Sequence, residues 1–300
     1  MKLVDLFAGC GGMSLGFQNA GFEILAAYDN WQPAIDIYSA NFRHPIYKRD
    51  LAEEDITNEL KALAPDIIIG GPPCQDFSIA GKMDMVGKRA NLTRTYSKLI
   101  ATVRPKWFVM ENVYTIERSP IFKEALLNFK NAGYGITKHV WDASYMGVPQ
   151  MRKRCFVVGC LGKEDNFLLT RLAKGLSKER MTIRHYFAEN SLKLDTDYIY
   201  MHPRNYKRRG IFSIDEPCCT IRSVNRPIPA NYTIHPADKT EDLNIVRQFT
   251  PKERSYIQTF PKTFKFVGSV SCIEQAIGNA VPVKMAEYIA EKIIEENKVG

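Results

Sequence analysis

Leu3-Val4-Asp5-Leu6-Phe7-Ala8-Gly9-Cys10-Gly11-Gly12-Met13 runs from an apolar strand through a glycine-rich turn into a helix. Glycines in such a turn let the backbone approach a ligand and leave the N–H groups of the following helix free. Residues 13–19 read as that helix, closed by Gly21. The same alternation continues outward. Strands are expected at 24–28, 45–48, 66–69, 107–110 and 155–158, and helices at 33–42, 91–103 and 123–131. Strands alternating with helices indicate an α/β fold, a mostly parallel, doubly wound sheet with helices on both faces.

Composition bounds the rest. The 300 residues suffice for one large domain plus a small one, and 45% are hydrophobic, enough for a sizeable core. Forty-one Lys and Arg against 33 Asp and Glu give a net charge of +8, which fits a polyanionic partner. Seven cysteines form no CxxC pair, so they read as reduced thiols and not as a disulfide framework or a zinc site. No signal-peptide core and no membrane-length apolar run is present, so the expected location is the cytoplasm, away from membranes.

The character of the chain changes after Gly159. Residues 171–226 carry 12 Lys/Arg and 6 Asp/Glu, with poor periodicity and repeated turn signals around Asn205, Gly210, Pro217, Pro227 and Pro229. This is the core of a second, smaller, basic domain. The expected boundaries are 1–165 for the first domain, completed by 270–300, and 166–269 for the second. In 283–297, Met285, Ile289, Ile293 and Ile294 share one face of an amphipathic helix expected to pack back on the first domain.

Four groups of residues carry chemistry. Beside the glycine turn, Asp29 ends the second strand, where a carboxylate reaches ribose hydroxyls, and Asp50 follows the third, within reach of an adenine amino group. Gly71-Pro72-Pro73-Cys74-Gln75 follows the strand 66–69, and ligand sites in such sheets lie beyond the carboxyl ends of the strands. Two prolines stiffen the approach to Cys74, a setting for a nucleophilic thiol that the other six cysteines lack. Cys155 and Cys160 read as core, and Cys218 and Cys219 fit a β-like segment. Glu111 ends the strand 107–110 at the same sheet edge as Cys74, making a nucleophile and acid pair. Arg152 and Arg154 alternate onto one face of the strand that follows Gln150, where paired guanidiniums suit a phosphate or a base carbonyl.

Taken in order, these motifs resemble the cytosine-C5 DNA methyltransferase family, the modification enzymes of bacterial restriction–modification systems. The matching segments are 7–12, 71–75, 111–113, 150–154 and 278–283, and 249–261 is similar to the stretch preceding the last of these. The resemblance covers 1–160 and 245–300. It implies a Rossmann-like domain binding S-adenosylmethionine through Phe7, Gly9, Cys10, Gly11, Gly12, Asp29, Asn30, Trp31, Asp50, Leu51, Pro73, Asn279, Ala280 and Val281. Either Asn30 or Trp31 stands where the family stacks on adenine.

The resemblance further implies that Cys74 attacks C6 of cytosine, Glu111 protonates N3, Arg154 holds O2 and Arg152 supports the loop. The target base must leave the duplex, and the basic domain, a DNA-recognition domain, is expected to supply the binding energy. Candidate DNA contacts are Gln75, Ser78, Arg204, Arg208, Arg209, Arg222 and Arg226. The expected substrate is duplex DNA read by a monomer, with a cognate restriction endonuclease as a separate companion. A tRNA cytosine-C5 methyltransferase is the alternative; the basic insertion favours DNA. A nucleotide-dependent oxidoreductase would leave Cys74, Glu111 and the paired arginines unexplained. A non-catalytic DNA-binding protein would leave the catalytic groups idle.

Overall fold

The computed structural model describes residues 1–51, 54–73, 83–203, 205 and 208–299, with the side chains of 83–91 set aside. The first half builds strands β1 (Lys2–Leu6), β2 (Glu23–Asp29), β3 (Ile46–Lys48), β4 (Ile67–Gly70) and β5 (Trp107–Val113). Helices α1 (Gly12–Asn19), α2 (Gln32–Ser39), α3 (Thr57–Leu63), α4 (Met83–Val103) and α5 (Pro120–Asn131) alternate with them. β6 (Tyr134–Asp142), the short β7 (Gln150–Met151) and β8 (Lys153–Leu161) follow. Seven of these strands form one sheet in the order β3-β2-β1-β4-β5-β8-β6. The first five are mutually parallel, and β8 runs antiparallel to both β5 and β6.

Period-two alternation places the two cores on opposite faces of this sheet. Leu3, Ile67, Ile69, Trp107, Val109, Phe156 and Val158 face one core; Val4, Leu6, Ile68, Phe108, Met110 and Val157 face the other. Helices α6 (Leu169–Lys174), α7 (Ile183–Glu189), α8 (Pro251–Ile257) and α9 (Val270–Asn279) precede the C-terminal helix α10 (Val283–Asn297), which lies with α1 on the first face. Met285, Ile289 and Ile293 are fully buried there, each contributing about 1.5–3 kcal/mol of apolar burial. Gly16 permits the contact: a Cβ on it would lie 2.6 Å from the Ala286 side chain and 2.5 Å from the Val283 carbonyl.

The basic half forms a smaller unit. β9 (Tyr198–Tyr200) pairs antiparallel with β10 (Ile211–Ser213) and parallel with β12 (Val246–Gln248), which comes after β11 (Cys218–Cys219). Its core gathers Ile183, Phe187, Ile199, Ile221, Phe249 and Ile257. Two features blur the expected boundaries. Leu168 and Leu172 belong to the core of the large sheet, and Ile277 of α9 belongs to the core of the smaller unit. β11 pairs with β7, so a strand from each half joins them. Among the described residues no helix is long and apolar enough to cross a membrane.

Candidate active site

At the carboxyl ends of β1, β2, β4 and β5 lies a cleft of about 730 Å³. Its floor is the turn read first in the sequence. Phe7, with φ +61°, and Gly9, with φ +55°, bend the chain so that β1 enters α1. A Cβ on Gly9 would meet nothing within 4 Å, so the space above the turn is open. Asp29 holds the turn from the next strand: its carboxylate accepts the Gly9 N–H at 2.8 Å and the Trp31 N–H at 2.9 Å. Burial raises the Asp29 pKa, and these backbone bonds oppose the rise. Asn30, Trp31, Asp50 and Leu51 continue the wall on this side; Asn279, Ala280 and Val281 close the opposite one. Trp31 is half-buried against the cluster that includes Cys10, Phe260 and Ala280, whereas Asn30 is exposed.

Gly11 is not among the lining residues. With φ +92° it starts α1, and its Cα faces the rings of Phe42 and Tyr38, which a Cβ would strike. Gly12 lines the cleft and lies so close to the Val281 carbonyl that a Cβ would collide with it. These two glycines therefore fit the turn between neighbouring packing elements.

Sequence reasoning missed Asp5. It sits next to the carboxyl end of β1, fully buried on the cleft wall. Oδ2 accepts the Ser14 hydroxyl at 2.5 Å, while Oδ1 has no hydrogen-bond partner. Burial pushes its pKa up to about 8. The signal available was a lone carboxylate among apolar strand neighbours.

The far end of the cleft brings together β4, β5 and β8. Glu111 and Arg154 meet there, with Arg154 Nε 2.9 Å from Glu111 Oε1 and both side chains nearly buried. The antiparallel register sets this up: Val113 faces Arg154 and Glu111 faces Phe156, so the pair closes on a diagonal. Burial raises the pKa of Glu111, and Arg154 and then Arg152 pull it back. Asn112 donates to the Pro72 carbonyl at 2.9 Å, tying the stem 71–73 to β5. A Cβ on Gly71 would lie 3.3 Å from Glu111 Oε2, so the stem runs directly beside the carboxyl group. Pro73 lines the cleft; Cys74, Gln75 and Ser78 lie outside the described residues.

Arg152 is 2% exposed and joins three segments. It donates to the carbonyls of Ile221 at 3.0 Å, Gly278 at 3.2 Å and Ala280 at 3.0 Å. Burial depresses its pKa well below the usual arginine value, and the neighbouring Arg154 adds to this. Gln150 accepts the Ile221 N–H at 2.8 Å and donates to Gln258 at 2.8 Å, and Gln258 donates to Ile277 and Ala280. The cleft wall 278–281 and the segment around Ile221 are thus fastened to one buried polar network.

The arginines of the smaller unit divide. Arg209 is engaged inside it, with two bonds to the Glu216 carboxylate at 2.9 and 2.6 Å and its guanidinium over the Phe212 ring. Arg222 donates to the His202 carbonyl. Arg208 and Arg226 are exposed, and Arg204 lies outside the described residues. The six cysteines other than Cys74 are free thiols, and Cys155, Cys160 and Cys218 are buried.

The model of the C-5 cytosine-specific DNA methylase family matches residues 1–295. The chain belongs to that family. The match runs through the basic half, which the motif resemblance left uncovered. The chain is 54% identical over 300 residues to the type II methyltransferase M.HindV of Haemophilus influenzae, covering 99% of this chain and 98% of that one. It is 53% identical over 294 residues to M.HgiDI of Herpetosiphon aurantiacus, covering 98% and 94%. In fold it is similar to the Dnmt2 methyltransferase of S. pombe, with a TM-score of 0.76, 18% identity and 98% of each chain covered. A methyltransferase of Entamoeba histolytica superposes with a TM-score of 0.71 at 19% identity, covering 99% and 98%. This methylase transfers the methyl group of S-adenosylmethionine to C5 of cytosine in duplex DNA.

Proposed function

We propose that Cys74, Glu111 and Arg154 carry the reaction and that the cleft floor holds the cofactor. The observation that carries this reading is the Glu111–Arg154 pair at 2.9 Å, beside a stem that leads directly to Cys74. C5 of cytosine is too weak a nucleophile unaided. The Cys74 thiolate adds to C6 while Glu111, protonated, donates to N3, which leaves electron density on C5. Arg154 holds the base O2 and keeps the Glu111 carboxyl oriented. Loss of the C5 proton and elimination of Cys74 then free the product base. Arg152 serves as a positioning residue, because its terminal nitrogens Nη1 and Nη2 donate to the carbonyls of Ile221, Gly278 and Ala280.

The residues on the cleft fit S-adenosylmethionine. Open space above Gly9 admits a ligand against the backbone, Asp29 and Asp50 offer acceptors, and the unpartnered Oδ1 of Asp5 leaves a buried polar atom on the cleft wall. Trp31, partly buried and facing the cleft, fits the adenine better than the exposed Asn30. Bound there, the cofactor supplies an electrophilic methyl group on a sulfonium.

Residues 1–165 with 270–300 act as the catalytic domain and 166–269 as the DNA-recognition domain, with the segment 166–176 lying against the former. Monomeric action in the cytoplasm beside a separate endonuclease completes the reading. The test is Glu111→Gln, assayed for methyl transfer to duplex DNA and, by calorimetry, for cofactor binding. Retained binding with transfer lost by about 10²- to 10⁴-fold supports the assignment. Transfer near the wild-type rate refutes it.

A further inference from the structure

A second recess, of about 440 Å³, lies on the smaller unit and shares no lining residue with the methyl-transfer cleft. Pro203, Arg208, Asn231, Thr233, His235 and Pro236 contribute to its walls. Hydrogen bonds tie the loop 229–236, which forms most of it, to its surroundings. Asp238 Oδ1 accepts the N–H groups of Gly210 at 3.0 Å and Ile211 at 2.9 Å. Its Oδ2 accepts the Tyr232 hydroxyl at 2.7 Å and the His235 N–H at 2.8 Å. The Tyr232 ring meets Tyr200 edge-on at 5.4 Å, and Pro229 and Pro236 bound the segment. One carboxylate thus clamps the loop onto the start of β10, so little conformational entropy remains to be lost on binding.

On this fixed loop Asn231 and Thr233 are exposed. His235 Nδ1 accepts the Ala237 N–H at 3.0 Å, so the neutral ring carries its proton on Nε2 as a donor. Cations flank the recess. Arg208 lines it, and His202, next to Pro203, has its pKa lowered first by burial and then by Arg226 and Arg222 nearby. Arginines beside DNA hold phosphates or read guanine O6 and N7, whereas adenine calls for a donor and an acceptor on one neutral group. The arginines alone therefore leave an adenine-containing pair unread.

We propose that the loop 229–236 enters a groove of the duplex and reads a base-pair edge, with Asn231 as the discriminating residue and His235 as its neighbouring donor. An Asn amide offers a donor and an acceptor side by side, the pattern that complements adenine N7 and N6 in the major groove. Arg208 and Arg226 anchor adjacent phosphates. The proposal rests on the DNA-methylating reading of the cleft.

The experiment uses the full-length protein and a duplex library randomised around an unmethylated target cytosine, sequenced after bisulfite conversion. Wild type, Asn231→Ala, Asn231→Asp and Arg226→Ala are compared. Both Asn231 variants are expected to methylate sites that differ at one base pair, discrimination there falling about ten- to a hundredfold. Arg226→Ala is expected to lower methylation of every site alike and to flatten the salt dependence of binding by about one unit of slope. Wild-type preference in both Asn231 variants, or an even loss over all sites, overturns the proposal. A wild-type protein that methylates no member of the library counts against the reading of the cleft itself.

Discussion

Arg154 Nε lies 2.9 Å from Glu111 Oε1, an ion pair formed across antiparallel β5 and β8 at the end of the cleft. Two opposed effects meet in the carboxyl group. Burial favours its protonated form, and the guanidinium favours its anion, with burial the larger. A group that must donate a proton to cytosine N3 is thereby kept protonated at higher pH than an exposed glutamate.

Single-turnover methyl transfer should therefore fall as pH rises through the raised Glu111 pKa. Arg154→Ala removes the cation that lowers this pKa, so the falling limb should move to higher pH while the maximal rate drops by about tenfold or more. A limb that stays in place in the variant would show that another group governs it. Rapid-quench assays, started below the ordinary carboxylate pKa and carried to alkaline pH, make the measurement.

Asp5 carries a stability prediction. Its pKa is raised from 3.8 to about 8, so the folded protein holds this proton more tightly than the unfolded chain. The resulting stabilisation is complete below about pH 4 and is lost as pH rises towards 8, at roughly 1.4 kcal/mol per pH unit. Asp5→Asn keeps an acceptor for Ser14 and cannot titrate. Urea unfolding should give a wild type that loses stability relative to this variant across that window. Parallel curves would contradict the assignment.

Removing Arg152 takes its donors from the buried carbonyls of Ile221 and Gly278 and leaves the Ala280 carbonyl to Gln258 alone. Arg152→Met should cost about 3 kcal/mol or more and lower Tm by roughly 5–10 °C. Lysine carries its three donors on one nitrogen in place of a planar fork, so Arg152→Lys should recover only part of the loss. Differential scanning calorimetry decides; a Tm within 1–2 °C of wild type would remove Arg152 from its fastening role, roughly the size of surface substitutions.

Gly71 offers a narrower probe. An added Cβ would sit 3.3 Å from Glu111 Oε2, closer than ordinary contact. Gly71→Ala should lower kcat by about tenfold through displacement of the acid, with the cofactor KM changed less than about threefold. A rise in cofactor KM with unchanged kcat would mean that the stem serves the cofactor side.

Much of this was legible in the sequence because it is local. The strand and glycine turn 3–12 and the amphipathic helix 283–297 announce themselves by period and by glycine. Long-range features were silent. Nothing in the sequence of β8 says that it inserts antiparallel between β5 and β6. β6 went unread, since Lys138 and His139 interrupt its apolar pattern. The engagement of Arg209 by Glu216, seven residues on, depends on the turn that brings them together. The recess loop was visible only as a proline-marked turn at Pro229, because its polar side chains gain meaning from the Asp238 clamp.

The central claim is a covalent bond between Cys74 and cytosine C6, with Glu111 as the acid. Fluorine at C5 has no proton to lose, so the adduct cannot be resolved. Wild-type protein incubated with S-adenosylmethionine and duplex DNA bearing 5-fluorocytosine in its methylation site should give a protein–DNA species that survives denaturing electrophoresis, and Cys74→Ala should give none. Absence of that species with the wild type, or its presence with Cys74→Ala, would contradict the account.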